Sequence, residues 1–366
     1  MADEPISTSR RKLLQLGTVL SMNSLIPGCS VDLPPRSGAS NAPRLKLIAL
    51  GGPMLDQARA ERGASALAGM GFALENRACL TRRVSRFAGT DEERLADLND
   101  LADTRTDMPD LIMATRGGFG TARLLERIDY ARLCPRLKET GAILMGYSDN
   151  TAAQLALLAK GGVVTFSGPM MYGDFGATPP SDFMLGWLRR VLSEPAFDLR
   201  VDTPQTDRCD VSGMLWGGNL SMLISLTGTP WMPAVEGGIL FLEDVGEDVY
   251  RVERMLLQLL QAGILERQSA IVLGQFTAYK PDGFDAEGYT LRRMLDTFRT
   301  RLSVPILTGL PVGHVPDIVP MPIGAQARLI AGDAGFTLHV SGYPVLKRFP
   351  AAFTRMAGGD INTKKD

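Results

Sequence analysis

Three short apolar runs, each ending in a glycine-containing turn and each followed by a segment of helical spacing, constrain this chain most. Leu45 to Leu50 stops at Gly51-Gly52-Pro53, Leu111 to Ala114 leads to Gly117-Gly118, and Ala142 to Met145 leads to Gly146. Short apolar runs bounded by turn residues read as buried strands. Between them, Leu55 to Met70 carries apolar positions at helical spacing, with Gly71 as its stop. Thr90 precedes the acid-rich turn Asp91-Glu92-Glu93, a capped helix start, and Leu95, Leu98 and Leu101 follow on one face. Strands that alternate with helices imply a parallel sheet whose functional loops lie at the strand C-termini. The fold class is therefore α/β: an N-terminal parallel-sheet domain of Rossmann or flavodoxin-like type containing a nucleophile elbow, plus a second C-terminal α/β domain.

A chain of 366 residues is too long for one ordinary core, which supports two domains. The N-terminal α/β domain is expected over residues 45–172, and residues 173–208, poor in periodicity and holding several prolines, read as an interdomain connection with a helix near Phe183 to Leu192. The C-terminal domain is expected over residues 209–350, with strands at Gly238 to Leu242, Ala270 to Leu273, Ala327 to Ile330 and Gly335 to Val340. A helix from about Val249 to Leu260 lies between the first two of these strands. Residues 351–366 form a polar tail.

The N-terminus reads as an address. Ser9-Arg10-Arg11-Lys12-Leu13-Leu14 resembles a twin-arginine export signal, and a modest apolar run follows to Ile26. It closes on Leu25-Ile26-Pro27-Gly28-Cys29, which resembles a lipobox and makes Cys29 the candidate lipidated N-terminus. Residues 1–28 are thus the expected signal and residues 29–44, rich in Pro, Ser, Gly and Asn, a flexible tether. The competing reading is a frayed terminus with a chance arginine pair. On the export reading the protein is periplasmic and anchored to a membrane.

Composition excludes several classes. The net charge is −1 and no basic stripe interleaves with aromatics, so no nucleic-acid partner is expected. No later stretch approaches the roughly 20 apolar residues of a spanning helix. Only two histidines occur, His314 and His339, and neither H-E-x-x-H nor C-x-x-C spacing is present, so neither a metal nor any other cofactor is expected. The four cysteines stand apart along the sequence and suggest no disulfide scaffold.

Chemistry is expected where polar residues sit on turns at strand ends. Ile143 to Gly146 runs into Tyr147-Ser148-Asp149-Asn150-Thr151 and then the helical run Ala152 to Ala159. A strand, a tight turn with serine at its apex and a helix is the layout of a nucleophile elbow, whose helix N-terminus supplies oriented N–H donors. The second glycine of the usual motif is missing, and Ser148 or Asp149 as a simple helix cap remains the other reading. Arg116-Gly117-Gly118-Phe119-Gly120 offers close backbone approach and a guanidinium suited to a carboxylate, or else an arginine that only holds its own glycine turn. Ile239 to Leu242 runs into Glu243-Asp244-Val245-Gly246-Glu247, which crowds carboxylates at a strand end. His314 lies on the Gly/Pro-rich loop Pro311 to Pro316, where functional residues concentrate, whereas His339 alternates with apolar neighbours as a solvent-facing strand residue. A serine nucleophile needs a base, and the base an orienting carboxylate.

Taken in order, these segments resemble the LD-carboxypeptidase family, which includes muramoyltetrapeptide carboxypeptidases and microcin C immunity peptidases. The resemblance spans about Leu45 to Leu346 and also rests on Gly217-Gly218-Asn219-Leu220, Gly228-Thr229-Pro230 and Gly309-Leu310-Pro311-Val312-Gly313-His314. It implies a catalytic triad of Ser148, His314 and Glu243, with Glu247 as a nearby rival, and it implies a two-domain fold, a homodimer and no metal. The implied reaction is hydrolysis of the amide between an L-centre, diaminopimelate or lysine, and the terminal D-alanine of a peptidoglycan tetrapeptide or muropeptide. An acyl-enzyme on Ser148 would place its oxyanion between the backbone N–H groups of Gly118 and Asp149, with Arg116 and Asn219 as candidate substrate contacts. Two departures stand out. The family often reads Thr-Phe-His-Gly-Pro where this chain has Thr165-Phe166-Ser167-Gly168-Pro169, and the export signal is unlike the cytoplasmic members. The alternatives are a related amidohydrolase of immunity type and a non-catalytic peptidoglycan-binding lipoprotein.

Overall fold

The computed structural model describes residues 42–279, 288–350 and 352–353. The export signal, the tether up to residue 41, Cys29 and nearly all of the polar tail lie outside the described residues.

The first half of the chain alternates as its apolar runs require. Strands β1 (Arg44–Ile48), β2 (Ala73–Glu75), β3 (Leu111–Ala114), β4 (Ile143–Gly146) and β5 (Thr165–Ser167) pair in parallel. Helices α1 (Gln57–Gly69), α2 (Asp91–Asn99), α3 (Tyr130–Thr140) and α4 (Thr151–Gly161) lie between them in sequence. All four residues of β3 are buried, as expected of a central parallel strand covered on both faces. Helix α4 is rich in Ala and Leu around its whole circumference, and its first eight residues are buried, so it packs as an interior helix rather than an amphipathic one. Its buried Gln154 is held there by its amide nitrogen, as Nε2 donates to Gly146 O at 2.9 Å and Phe166 O at 2.7 Å. Helix α2 carries the cap read from sequence: Thr90 Oγ1 accepts from Glu93 N–H at 3.2 Å, and Glu93 Oε2 accepts from Thr90 N–H at 2.8 Å.

Beyond these lie α5 (Asp182–Ser193), β6 (Ala196–Val201), β7 (Cys209–Asn219), α6 (Leu220–Ser225), β8 (Ile239–Val245) and α7 (Val249–Gln261). The chain continues through β9 (Ala270–Thr277), α8 (Leu291–Arg299), β10 (Ile306–Thr308), β11 (Met321–Ile323), β12 (Ala325–Gly332) and β13 (Gly335–Ser341). Seven strands form a second, mixed sheet in the order β10-β9-β8-β7-β12-β13-β6. Its β12 alternates buried and exposed positions, the signature of an antiparallel strand with one solvated face. Among the described residues, no helix is long and apolar enough to cross a membrane.

The chain crosses between the halves at two points that sequence spacing did not reveal. The segment read as a connection supplies α5 and β6, and β6 forms the outer edge of the second sheet against β13. Conversely, β11 leaves the second half and pairs antiparallel with β5 at the edge of the first sheet. Three-residue strands such as β5 and β11 are too short to display a period. The loop that carries His314 thus starts from β10 in one sheet and ends at β11 in the other.

Thr90→Ala removes the cap of α2 and should lower unfolding free energy by about 1 kcal/mol. Urea unfolding would show this as a lower midpoint at unchanged slope, and an unmoved midpoint would mean that α2 does not depend on its cap.

Candidate active site

Ser148 sits where β4 turns into α4, and it is one of few non-glycine residues with positive φ, at 62°. That left-handed conformation costs an L-residue about 1 kcal/mol or more, so the surroundings must impose it. Gly117 is one cause of the fit: a Cβ built there would stand 2.7 Å from both Cβ and Oγ of Ser148, so only glycine lets the two turns touch. Asp149 locks the same junction. Its Oδ2 accepts from Thr121 N–H at 2.9 Å and from Thr121 Oγ1 at 2.7 Å, and Oδ1 accepts from Gly120 N–H at 3.3 Å. Burial pushes the Asp149 carboxyl above its ordinary range, against the lowering effect of the Thr121 and Gly120 hydrogen bonds.

On the second sheet, Glu243 is 1% exposed and stands at an irregularity between β8 and β9. Leu242 pairs with Leu273 and Asp244 with Phe276, so two residues of β9 oppose Glu243 alone. This bulge re-aims the strand end. Glu243 Oε2 lies 2.9 Å from His314 Nδ1. Gly313, at φ 131°, admits the approach, since a Cβ there would meet Gln275 O at 3.0 Å. Glu247, the rival carboxylate, sits instead 3.9 Å from Arg251.

The two halves meet in a ring of contacts. Tyr147, adjacent to Ser148, sets its ring edge-on to the His314 imidazole, with centroids 5.1 Å apart. Asn219 N–H donates to Oγ1 of Thr151, the first residue of α4, at 3.2 Å, and its Nδ2 donates to Glu243 Oε1 at 3.1 Å. Among the described residues, Ser148 Oγ makes no hydrogen bond to His314 or to any other group. Such contacts commonly tighten only once substrate is bound.

The surroundings of His314 shift its pKa upward. Burial opposes the imidazolium, but the hydrogen bond and charge of Glu243, together with Asp244 and Asp174, outweigh it and raise the pKa above 6.5. Burial, then the charges of Asp174 and Glu243, hold the Tyr147 phenol well above its ordinary value, so it stays neutral.

The remaining expected residues divide. Gly118 is exposed at φ 103°, and its N–H donates to no acceptor among the described residues. Asp149 belongs to the first turn leading into α4, where backbone N–H groups lack helical acceptors. Arg116 donates from Nη1 to Pro53 O at 2.7 Å and lies over the Tyr172 ring, 5.7 Å from its centroid, with no carboxylate partner among the described residues. Asn219, a candidate substrate contact, lies among the carboxylates. It is 4% exposed, its amide nitrogen serves Glu243 and Asp244, and its Oδ1 accepts from Ser221 Oγ and Met222 N–H. With both side-chain polar atoms engaged, it orients the two carboxylates. Ser167 is buried on β5, paired with Gly146 and Met321. His339 is exposed beside Asp198, as its alternation implied.

Two residues at the site had escaped the sequence reading. Asp174 lies in the stretch taken for a connection, and Arg59 on α1 carries no motif. Both line one cavity with Tyr147 and His314. Only the tertiary fold brings them there.

Comparison with known proteins gives the family. Residues 45–168 match the LD-carboxypeptidase N-terminal domain, and residues 212–329 match the LD-carboxypeptidase C-terminal domain. The chain is 33% identical over 246 residues to a probable murein peptide carboxypeptidase of Bacillus subtilis, covering 66% of this chain and 75% of that one. It is 28% identical over 301 residues to the microcin C7 self-immunity protein of Escherichia coli, covering 73% and 84%. The crystal structure of a muramoyltetrapeptide carboxypeptidase from Oxalobacter formigenes superposes with a TM-score of 0.76 at 40% identity, covering 82% of this chain and all (100%) of that one. This chain belongs to the LD-carboxypeptidase family.

Proposed function

We propose that the protein is a serine carboxypeptidase that removes the terminal D-alanine from peptidoglycan tetrapeptides, cutting its amide to an L-centre, diaminopimelate or lysine. The observation that carries this reading is the Glu243–His314 hydrogen bond at 2.9 Å, set beside a serine held at positive φ. An ionised Glu243 can only accept, which assigns the proton to Nδ1 and leaves Nε2 as the base.

In the proposed reaction Ser148 Oγ attacks the scissile carbonyl while His314 Nε2 takes its proton. The oxyanion is held by the N–H groups of Gly118 and Asp149, and the imidazolium is stabilised by Glu243. Collapse breaks the C–N bond, and His314 returns the proton to the departing D-alanine nitrogen, leaving an ester on Ser148. Water, deprotonated by the same imidazole, releases the tripeptide. Arg116, free of any acidic partner among the described residues, is the proposed seat of the terminal carboxylate. The murein-directed names of two relatives support the substrate class. The 28% identity to a microcin self-immunity protein supports a second reading, an amidohydrolase that uses the same residues on another acyl amide.

We also propose export with lipidation at Cys29, resting on the arginine pair, apolar run and lipobox-like sequence, and a homodimer, resting on the family resemblance.

D-alanine release from a purified disaccharide-tetrapeptide tests the reaction. Wild type should release it in the presence of a chelator, while Ser148→Ala and His314→Ala should lose about 10,000-fold. Binding without release in wild type would leave only a peptidoglycan-binding role. The pH profile follows from the sign of the His314 shift. The base acts when neutral, so kcat/KM should fall as pH drops through a value above 6.5. A rate that does not fall on the acid side would contradict His314 as that base. Cys29→Ser should release the protein from the membrane fraction and leave turnover unchanged, whereas unchanged membrane association would sink the lipid anchor.

A further inference from the structure

The proposed reaction leaves one buried cation unused. Arg94 on α2 is 0% exposed. Its Nη1 donates to Leu50 O, in the turn that leaves β1, and its Nη2 donates to Asp91 Oδ1 at 2.5 Å. The guanidinium lies over the Phe87 ring, 4.7 Å from the centroid, and that of Arg123 lies 4.9 Å from the same centroid. Arg123 also donates to Asp91 Oδ2, at 2.9 Å. One carboxylate and one ring therefore serve both arginines. A Cβ built on Gly120 would stand 2.6 Å from Arg94 Nη1, so the glycine loop closes directly onto the guanidinium.

From Leu50 the chain turns through Gly51 and Gly52. Gly52 N–H donates to Gly117 O at 2.9 Å, and Gly51 O accepts from Ala88 N–H at 3.0 Å. The Gly117 carbonyl belongs to the peptide unit that carries the Gly118 N–H, the proposed oxyanion donor. A trans peptide is planar, and its C=O and N–H point in opposite directions. Tying Gly117 O to Gly52 thus aims the Gly118 N–H the other way, where it has no acceptor among the described residues. We propose, on the serine carboxypeptidase reading above, that Arg94 is a positioning residue for the oxyanion. Through Leu50 and the Gly51–Gly52 turn it sets the plane of the Gly117–Gly118 peptide, and with Asp91 and Arg123 it holds the far end of the same loop. Burial raises the Asp149 carboxyl, while the Thr121 and Gly120 hydrogen bonds and then the charge of Arg94 act to lower it. The same cation therefore favours the ionised carboxylate that grips this loop. Arg94 stands behind the loop and touches no substrate, so its effect belongs to the step in which the oxyanion forms.

Arg94→Lys keeps the buried charge but loses the planar fork that reaches a carbonyl and a carboxylate together. On the disaccharide-tetrapeptide its kcat should fall about 30-fold with KM within about threefold of wild type, short of the roughly 100-fold or more that a whole oxyanion donor is worth. Two ligands separate positioning from packing. The boronic acid analogue of the lysine tripeptide closes on Ser148 as a tetrahedral adduct with an oxygen at the oxyanion position, whereas the tripeptide product forms no bond. Affinity for the boronic acid should fall by about the same factor as kcat/KM, and affinity for the product should stay within about threefold. Circular dichroism at the assay temperature checks the fold. Where Arg94→Lys fails to fold, Asp91→Asn takes its place, since it leaves Arg94 but uncouples it from Arg123, and it should lose about fivefold in kcat at unchanged KM. Wild-type kcat and boronic acid affinity in the folded variant, with only a lower melting temperature, would overturn the positioning role and leave the reaction standing. A raised KM at unchanged kcat would overturn it as well. No turnover by wild type would instead overturn the carboxypeptidase reading, and the positioning role with it.

Discussion

One side-chain amide holds two buried carboxylates in place, and the site is arranged around it. Glu243 and Asp244 are consecutive, 1% and 2% exposed, and like charges that close repel strongly in a poorly polarisable interior. Asn219 Nδ2 has two hydrogens and spends one on each, at 3.1 and 3.0 Å. Asp244 is further satisfied by the N–H groups of Ser221 and Val245, both at 2.8 Å, and so anchors the start of α6. Glu243 then has one oxygen left, and that oxygen faces His314. The backbone N–H of the same asparagine reaches Thr151, so the helix behind Ser148 is referenced to the residue that holds Glu243 against His314. Ser148 and Glu243 come from different sheets, yet one residue ties their supports together.

The strain at Ser148 is supported by a second buried acid. Asp149 takes three donors from the Gly120–Thr121 turn, which pulls the glycine loop over the elbow. Three hydrogen bonds to a carboxylate, at roughly 1.5–3 kcal/mol each, outweigh a positive-φ cost of a few kcal/mol at most. Close packing of Gly117 on Ser148 leaves the elbow no room to relax. The Gly118 N–H is thereby left unbonded on the exposed side of the loop. Rigidity behind Ser148 and a free donor in front of it arise from one set of contacts.

How much of this was legible depends on the range over which each feature is encoded. The strand ends at Ala114 and Gly146, the capped start of α2 and the helix from Val249 are local, written in apolar spacing and cap residues, and the structure places them within a residue or so of the reading. Ser148, Glu243 and His314 were recognisable because each follows an apolar strand or sits on a Gly/Pro loop, and their shared pattern resembles a family. Non-local features were not legible. Asp174 lies among prolines with no period, β11 is three residues long, and the pairing of β6 with β13 spans more than a hundred residues of sequence. Asn219 was located as a polar residue at a strand end, but its bridge between Glu243 and Asp244 needs the pairing of β7 with β8 and was not legible.

The exchange of β11 explains why a composite site of this kind can be precise. A loop tethered at one end only would let His314 drift as the sheets breathe. Here the loop is pinned to the second sheet through β10 and to the first through β11 against β5. It is also closed on itself by Val319 N–H donating to Pro311 O at 2.8 Å. Glycine at 313 lets the chain pass close to Gln275, and the prolines on either side, Pro311 and Pro316, restrict the backbone between the anchors. Less entropy then remains to be lost when the imidazole is fixed. Any relative movement of the sheets shifts both anchors, so His314 follows the sheet that carries Ser148 as well as the sheet that carries Glu243. A loop on either sheet alone could not couple the imidazole to Ser148 in this way.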